Sequence, residues 1–268
     1  MLLTNMNMNE SGAIKITNES EMLSTQVVTL DETTSTNDFL KRQSMPDGIE
    51  MLVATARHQT AGRGQGTNKW ESENGKNLLF SLLVQPTMVP IAQQFVLSMA
   101  GALALKEALC HYAEGFSLKW PNDIYWQDRK ISGTLIETSV SGHTLSRCIF
   151  GSGVNINQQH FHSDAPNPVS LCHIVGHETP IEEVLHAVLV AFAKYYKMVI
   201  EGRYAEVQEL YHASLYRRDG WHKYRDTDGN FMAHIDRVGL DGRLHLSLTD
   251  GSQRSYAFKE VAFVLPEE

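Results

Sequence analysis

The chain has 268 residues, enough for one large domain or two modest ones with a well-packed core. Its composition, 42% hydrophobic and 20% charged, is that of a globular protein, and no stretch approaches the roughly 18 uninterrupted apolar residues of a membrane-spanning helix. The formal net charge of -8 argues against a nucleic-acid-binding protein, because such proteins carry a basic surface to offset phosphate charge.

The first 25 residues are polar and lack the basic start and long apolar segment of a secretion signal. We predict that they form an extension outside the fold. The three cysteines, Cys110, Cys148 and Cys172, are widely spaced and form no CxxC pair, which is typical of free thiols in a reducing compartment. These features predict a cytoplasmic protein.

Residues 26–218 alternate between strand and helix patterns, which predicts an α+β domain with a mixed sheet packed by helices. Ser35 or Thr36 is well placed to cap the first helix, and Gly115 to end the second. The predicted strands are 27–30, 51–56, 78–84, 123–126, 131–138 and 144–155, and the predicted helices are 37–42, 90–114, a long one from 180 past 200, and a further one to about 216.

The pattern changes near Arg218. From residue 219 to residue 268 short alternating runs are separated by Asp228-Gly229, Asp241-Gly242 and Asp250-Gly251. Asp-Gly between alternating runs is a strong signal of a β-hairpin. We therefore predict a small, separate all-β domain at this end of the chain.

A glycine-rich loop between two predicted strands is the most informative segment. It reads Gln59-Thr-Ala-Gly-Arg-Gly-Gln-Gly-Thr-Asn-Lys-Trp70. Its glycines allow positive φ angles and inward-facing amides, and its Arg and Lys add positive charge, so the loop is suited to a phosphate-bearing ligand. The alternatives are a mobile surface loop and, for Trp70, simple core packing.

Two further segments carry polar residues at predicted strand ends. Lys119-Trp-Pro-Asn-Asp123 is followed by Asp128-Arg-Lys130 and then by Gly133, which leaves space beside the lysine. Gly151-Ser-Gly-Val-Asn155 ends the next strand, where glycines permit close backbone approach to a ligand. On the residues alone, Lys130 could equally be a solvated hairpin lysine and the glycines a bulge.

Together these segments resemble the biotin protein ligase family. The order and spacing of the Ser35-Thr36-Asn37, glycine-loop, KWPND, DRK and GxGxN segments match it, and the similarity covers roughly residues 27–265. The resemblance implies a catalytic domain like those of class II synthetases and biotin/lipoyl ligases, followed by an SH3-like β-barrel. It also implies the site residues. The residues expected to bind biotin are Ser35, Thr36, Asn37, Gln59, Arg63, Gly64, Gln65, Lys130 and Gly133. The residues expected to bind the nucleotide are Gly62, Trp70, Lys119, Asn122 and Asn155. The expected catalytic residues are Lys130, Arg63 and Asp123, and Asp123 is also the expected Mg²⁺ ligand.

The activity that the resemblance implies has two steps. Biotin is activated with ATP and Mg²⁺ to biotinyl-5′-AMP, and biotin is then transferred to a lysine of the biotin carboxyl carrier protein domain of a biotin-dependent carboxylase. The enzyme is expected to be a monomer or homodimer that binds neither nucleic acid nor membrane. A lipoate or octanoate ligase and a non-catalytic adenylate sensor are the alternatives.

Two departures from the family pattern stand out. Gln65 occupies the position where the best-known bacterial member has a second arginine, so the adenylate is expected to be held by fewer charges. The segment before residue 26 is too short and too weakly charged for a helix-turn-helix, so no repressor function is expected.

Overall fold

The computed structural model describes residues 23–162 and 167–265 in full, together with the backbone of Met6–Met8 and Ile14–Ile16. The strands are β1 (Met6–Met8), β2 (Ile14–Ile16), β3 (Thr25–Thr33), β4 (Met51–Gln59), β5 (Leu78–Val84), β6 (Phe116–Lys119), β7 (Asp123–Trp126), β8 (Arg129–Ser141), β9 (Thr144–Val154), β10 (His222–Asp226), β11 (Gly229–Val238), β12 (Leu244–Leu248), β13 (Gln253–Tyr256) and β14 (Ala262–Phe263). The helices are α1 (Thr36–Lys41), α2 (Phe95–Cys110), α3 (Leu171–Val175), α4 (Ile181–Ile200) and α5 (Tyr204–Ala213), and a 3₁₀ turn, Ile91–Gln93, precedes α2.

The larger sheet has the order β1-β2-β3-β4-β5-β9-β8-β7-β6 and is mixed, since β3 pairs parallel with β4 and its other described pairs are antiparallel. This confirms the predicted α+β fold. At one edge β2 pairs with β3 and β1 pairs with β2, so two short pieces of the segment that we predicted to lie outside the fold belong to the sheet. The rest of residues 1–22 lies outside the described residues.

The central strand β5 is buried along its whole length because helices cover both faces of the sheet. On one face, Phe80 and Leu82 join the main core with α2 and α4. On the other face, Leu83 packs with Leu40 of α1 in a smaller core. Since side chains alternate along a strand, Ser81 points to the α1 face, and there it contacts the start of that helix. The functional site develops on this face.

The predicted C-terminal strands form a five-stranded antiparallel sheet with the order β13-β12-β11-β10-β14, and the domain boundary near Arg218 stays a prediction. The sheet packs against the larger α+β part through side chain–backbone hydrogen bonds. The Trp120 indole N–H donates to the Gly242 carbonyl at 3.1 Å, and the Gln208 amide of α5 donates to the Val238 carbonyl of β11 at 2.7 Å. The two sheets are thus joined by specific contacts, not only by the chain.

Some predicted elements differ from the observed ones. The stretch predicted as one helix from residue 90 to residue 114 is a 3₁₀ turn and then α2, and the helix ends at Cys110, before the positive φ of Gly115. Strand β6 was not predicted, because four residues carry too little periodicity, and α3 lies inside a predicted loop. All three cysteines are free thiols. Among the helices of the described residues, none combines the length and apolar character needed to cross a membrane.

Candidate active site

A cavity of about 600 Å³ lies on the α1 face of the large sheet, between the glycine-rich loop and the ends of β7, β8 and β9. Fourteen of the fifteen predicted site residues line it: Ser35, Thr36, Asn37, Gln59, Arg63, Gly64, Gln65, Trp70, Lys119, Asn122, Asp123, Lys130, Gly133 and Asn155. Gly62 does not line the cavity. Its carbonyl accepts the Trp70 amide at 3.1 Å, so it helps to position Trp70 instead.

Two glycines of β9 leave the floor of the cavity without side chains at their positions. In the sheet register Gly151 of β9 lies between Ser81 of β5 and Leu135 of β8. A Cβ on Gly151 would lie 1.9 Å from Oδ1 of Asn37, and a Cβ on Gly153 would lie 2.2 Å from the Trp70 ring. Glycine is therefore required at both positions so that Asn37 and Trp70 can lie directly on the sheet.

One end of the cavity is lined mainly by uncharged polar side chains. The Ser81 hydroxyl lies 2.6 Å from Oδ1 of Asn37 and 2.7 Å from the Thr36 hydroxyl. Oε1 of Gln59 accepts the Thr36 amide at 2.7 Å. Asn37 donates its side-chain amide to Glu137 at 2.9 Å. A buried set of amides and hydroxyls of this kind suits a small neutral group with its own donors and acceptors, such as an amide or a urea.

The other end carries two lysines. Nζ of Lys130 donates to Oδ2 of Asp123 at 2.6 Å, and a Cβ on Gly133 would lie 3.2 Å from that ammonium. Lys119 donates to the Tyr125 hydroxyl at 3.1 Å, and its ammonium lies 4.8 Å from the Tyr125 ring centre. Desolvation lowers the pKa of Lys119, against the opposing effect of the Asp123 charge. A cavity wall with two ammonium groups favours an anionic ligand.

The glycine-rich loop is organised differently from our prediction. Of its glycines only Gly66 has a positive φ, of 68°. The Gly64 amide donates within the loop to the Asn68 carbonyl at 2.7 Å, so it does not face a ligand. Trp70 lies over Gly153 and leaves its buried indole N–H without a hydrogen-bond partner in the described part of the chain. The Arg63 guanidinium binds Asp38 at 2.7 Å and Glu137 at 3.1 Å.

The donor set does not fit a resident metal ion. Within residues 23–162 and 167–265, no three His, Cys, Asp or Glu side chains come together in a way that holds a metal. Asp123, the predicted Mg²⁺ ligand, is one carboxylate already paired with Lys130. Asn155, predicted to contact nucleotide, uses its side-chain amide on the Val169 carbonyl at 3.1 Å.

Sequence reasoning missed Ser81, Glu137 and Phe258. Ser81 is a lone hydroxyl in an otherwise apolar buried strand, which was a usable signal. Glu137 is recognisable only once β8 is placed beside α1. Phe258 comes from the C-terminal domain, lines the cavity and packs on Trp120 with ring centres 5.8 Å apart.

Comparison with known proteins gives the class. Residues 29–155 match the model of the biotin/lipoate A/B protein ligase family. The chain is 34% identical over 174 residues to the biotin--[acetyl-CoA-carboxylase] ligase of Paracoccus denitrificans, covering 62% of this chain and 71% of that one. It is 26% identical over 235 residues to the bifunctional ligase/repressor BirA of Bacillus subtilis, covering 85% and 70%.

The solved structures agree with these likenesses. The biotin protein ligase of Aquifex aeolicus, determined in complex with biotin and ATP, superimposes with a TM-score of 0.73 at 27% identity, covering 90% of this chain and 99% of that one. The fold is thus that of a biotin protein ligase. The chain belongs to the biotin/lipoate A/B protein ligase family.

Proposed function

We propose that this protein is an ATP-dependent biotin protein ligase. Biotin and ATP react to give biotinyl-5′-AMP and pyrophosphate, and an acceptor lysine then displaces AMP from the adenylate. The observation that carries the proposal is one cavity with a neutral polar end and a two-lysine end. The relatives named above, one of them determined with biotin and ATP, support it.

The polar end favours biotin over lipoate. Thr36, Asn37 and Gln59 line this end with hydroxyl and amide groups, and Ser81 hydrogen-bonds two of them from below; the dithiolane ring of lipoate would offer these groups no hydrogen bond. The ureido group of biotin supplies a carbonyl oxygen and two N–H groups for them. Sites built to hydrogen-bond a ligand group reject analogues that lack it far more strongly than apolar pockets reject a methylene.

The charged end suits the activation step. The biotin carboxylate must attack the α-phosphorus of ATP, so two anions have to lie side by side. Lys130 supplies positive charge where they meet, and Asp123 holds that ammonium in place through the 2.6 Å hydrogen bond. Lys119 adds a desolvated charge on the nucleotide side. Mg²⁺ enters with the phosphates of ATP as part of the substrate, and it offsets their charge.

The second step needs a partner protein. We infer that the acceptor is a lysine of a biotin carboxyl carrier protein domain, in line with the name of the Paracoccus relative. Its amine attacks the carbonyl carbon of the mixed anhydride, AMP leaves, and the amine proton goes to solvent or to Asp123. The cytoplasmic location and the monomeric or dimeric state stay predictions.

Replacement of Lys130 by alanine tests the proposal. Loss of a charge-stabilising group aimed at the reacting atoms is expected to lower biotin-dependent ATP–pyrophosphate exchange by about 10²–10³-fold. Arg129→Ala is the matched control, because Arg129 is the adjacent cation of the same turn and binds only the Pro168 carbonyl among the described residues. Near-normal exchange by a folded Lys130→Ala protein would refute the assigned role.

The two alternatives give different results in direct assays. A mass increase of the carrier by a biotinyl group, and not by a lipoyl or octanoyl group, supports the proposed substrate. A non-catalytic adenylate sensor would bind biotinyl-5′-AMP without exchanging pyrophosphate into ATP. Exchange that depends on added biotin therefore separates the ligase from the sensor.

A further inference from the structure

Arg63 is held by two carboxylates from different elements. Its Nη2 lies 2.7 Å from Oδ1 of Asp38 on α1 and 3.1 Å from Oε2 of Glu137 on β8. We call these three residues the Arg63 clamp. Lys41 lies beside them, with its ammonium 2.8 Å from Oε1 of Glu137. The two carboxylates are thus balanced by two cations, and the charge of Arg63 is already opposed before any phosphate arrives.

The clamp acts on the part of the loop that covers the cavity. Arg63 lies in a short hairpin closed by the Gly64–Asn68 and Trp70–Gly62 backbone hydrogen bonds. Trp70, at the end of this hairpin, lies on the floor at Gly153. Fixing the Arg63 side chain to α1 and β8 therefore fixes where the hairpin sits over the cavity.

Glu137 also contacts the polar end of the cavity. Its Oε2 accepts a hydrogen bond from the Asn37 side-chain N–H at 2.9 Å, and Oδ1 of the same Asn37 amide accepts the Ser81 hydroxyl at 2.6 Å. Desolvation raises the pKa of Glu137, but hydrogen bonds from Lys41 and Asn37 and the charge of Arg63 outweigh it and leave the pKa lowered. One ionised carboxylate thus touches both the cavity floor and the loop above it.

We propose that Glu137 is a positioning residue, which with Asp38 holds the Arg63 loop closed over the cavity and ties the position of the loop to Asn37. Arg63 then keeps the loop in place and is not a phosphate ligand. The kinetic consequence rests on the proposed function: the bound acid and its adenylate leave slowly because the loop stays closed.

The test variant is Glu137→Gln, which keeps the side-chain size and an oxygen for Asn37 but removes the charge. The Michaelis constant for biotin and the dissociation rate of biotinyl-5′-AMP are expected to rise about tenfold, while the turnover number of exchange at saturating substrates changes less than about twofold. Glu178→Gln is the matched control, because Glu178 pairs with Lys76 on the exposed surface. A fall in turnover with unchanged biotin and adenylate binding would overturn the proposal.

A double-mutant cycle tests whether the two residues act together. If Glu137 works through Arg63, Arg63→Met and the double variant should release the adenylate at similar rates, since the second change removes nothing further. Multiplying effects of the two substitutions would contradict a shared role.

Limited trypsin digestion provides a readout that needs no catalysis. Without ligand, Glu137→Gln is expected to be cut after Lys69 several times faster than the parent chain or Glu178→Gln, at an unchanged melting temperature. Equal cutting rates would overturn the clamp even in an active ligase. If the parent chain lacks biotin-dependent exchange yet Glu137→Gln is cut faster, the proposed function fails while the clamp stands.

Discussion

Lys119 is a cation held in an environment that disfavours its charge. Within the described residues it forms no ion pair; it faces the Tyr125 hydroxyl and the rings of Tyr125 and Phe263. Desolvation is the main reason for its lowered pKa, and the charges of Lys130 and Arg217 act in the same direction. A charge kept in such a place costs stability, and we propose that it is retained to bind an anion.

Lys119→Met should therefore increase the stability of the protein and weaken its binding of ATP. At pH 7 the free energy of unfolding is expected to rise by about 1 kcal/mol, because the desolvated charge is gone, and the Michaelis constant for ATP is expected to rise about tenfold or more. The pKa of Lys119 is lower in the folded state than in the unfolded state. At pH values between these two pKa values the unfolded chain binds more protons, so the stability of the parent chain increases as the pH rises. The advantage of the variant should shrink from pH 7 to pH 10 in urea denaturation, and an unstable variant at pH 7 would contradict this account.

Single residues were predictable where the chain carries the signal locally. The glycine-rich loop and the KWPND segment identified 12 of the 27 residues that line the cavity, because each segment is continuous in sequence. Glu137 was not predictable in the same way, since its contacts with Asn37 and Arg63 span 100 and 74 residues. The hydrogen bonds that the Gly64, Asn68 and Trp70 amides make within the loop were not predictable, because they depend on the hairpin geometry.

At the scale of elements, α5 contacts the C-terminal sheet through His212 as well as Gln208. Nε2 of His212 accepts the Val238 amide of β11 at 2.8 Å. That nitrogen must be unprotonated to accept, so the contact requires neutral imidazole. Desolvation lowers the pKa of His212, and the Arg218 charge adds to this, while the Val238 carbonyl oxygen, 3.1 Å from the same Nε2, and the Asp236 charge oppose it.

This contact predicts an acid-sensitive junction. The folded-state pKa of His212 lies below its unfolded-state value. The contribution of neutral His212 to the free energy of unfolding is therefore fully present above the ordinary histidine value of 6.5. It is lost as the pH falls from there toward the folded-state pKa. His212→Gln, whose amide oxygen can still accept the Val238 amide, should reduce the drop in melting temperature between pH 7.5 and pH 5.5. His143→Gln, at an exposed turn, is the control. An unchanged drop in His212→Gln would count against the junction.

The bounds of an element were predicted best where the buried run of residues has clear ends in the sequence. The bounds of β5 were predicted correctly because a seven-residue apolar run between polar segments admits one placement. The ends of α2 were not, since its sequence is apolar on every side and does not mark where packing stops. Strand β6 pairs antiparallel with β7, and its Leu118 forms a further bridge with Leu215, a partner far along the chain.

Across the whole molecule, the cavity belongs to both domains. The change of pattern near Arg218 indicated a second domain but could not reveal that its Phe258 lines the cavity beside Trp120. The turn around Gly242 packs on Phe95 at the start of α2, and its carbonyl accepts the Trp120 indole N–H. These contacts link the C-terminal sheet to the KWPND segment, so we expect the two parts to unfold together.

Two Asp-Gly turns allow this link to be measured. Gly242 and Gly251 both have a φ of 83°, so alanine at either position should cost about 1 kcal/mol through backbone strain alone. A Cβ on Gly242 would lie 2.8 Å from the Phe95 ring, whereas nothing lies within 4 Å of one on Gly251. Gly242→Ala should therefore lower the free energy of unfolding by about 1–3 kcal/mol more than Gly251→Ala. It should also raise the Michaelis constant for ATP, because displacing the turn disturbs Trp120. In calorimetry both variants should keep a single transition; equal shifts, or a second transition in the parent chain, would show that the domains are energetically independent.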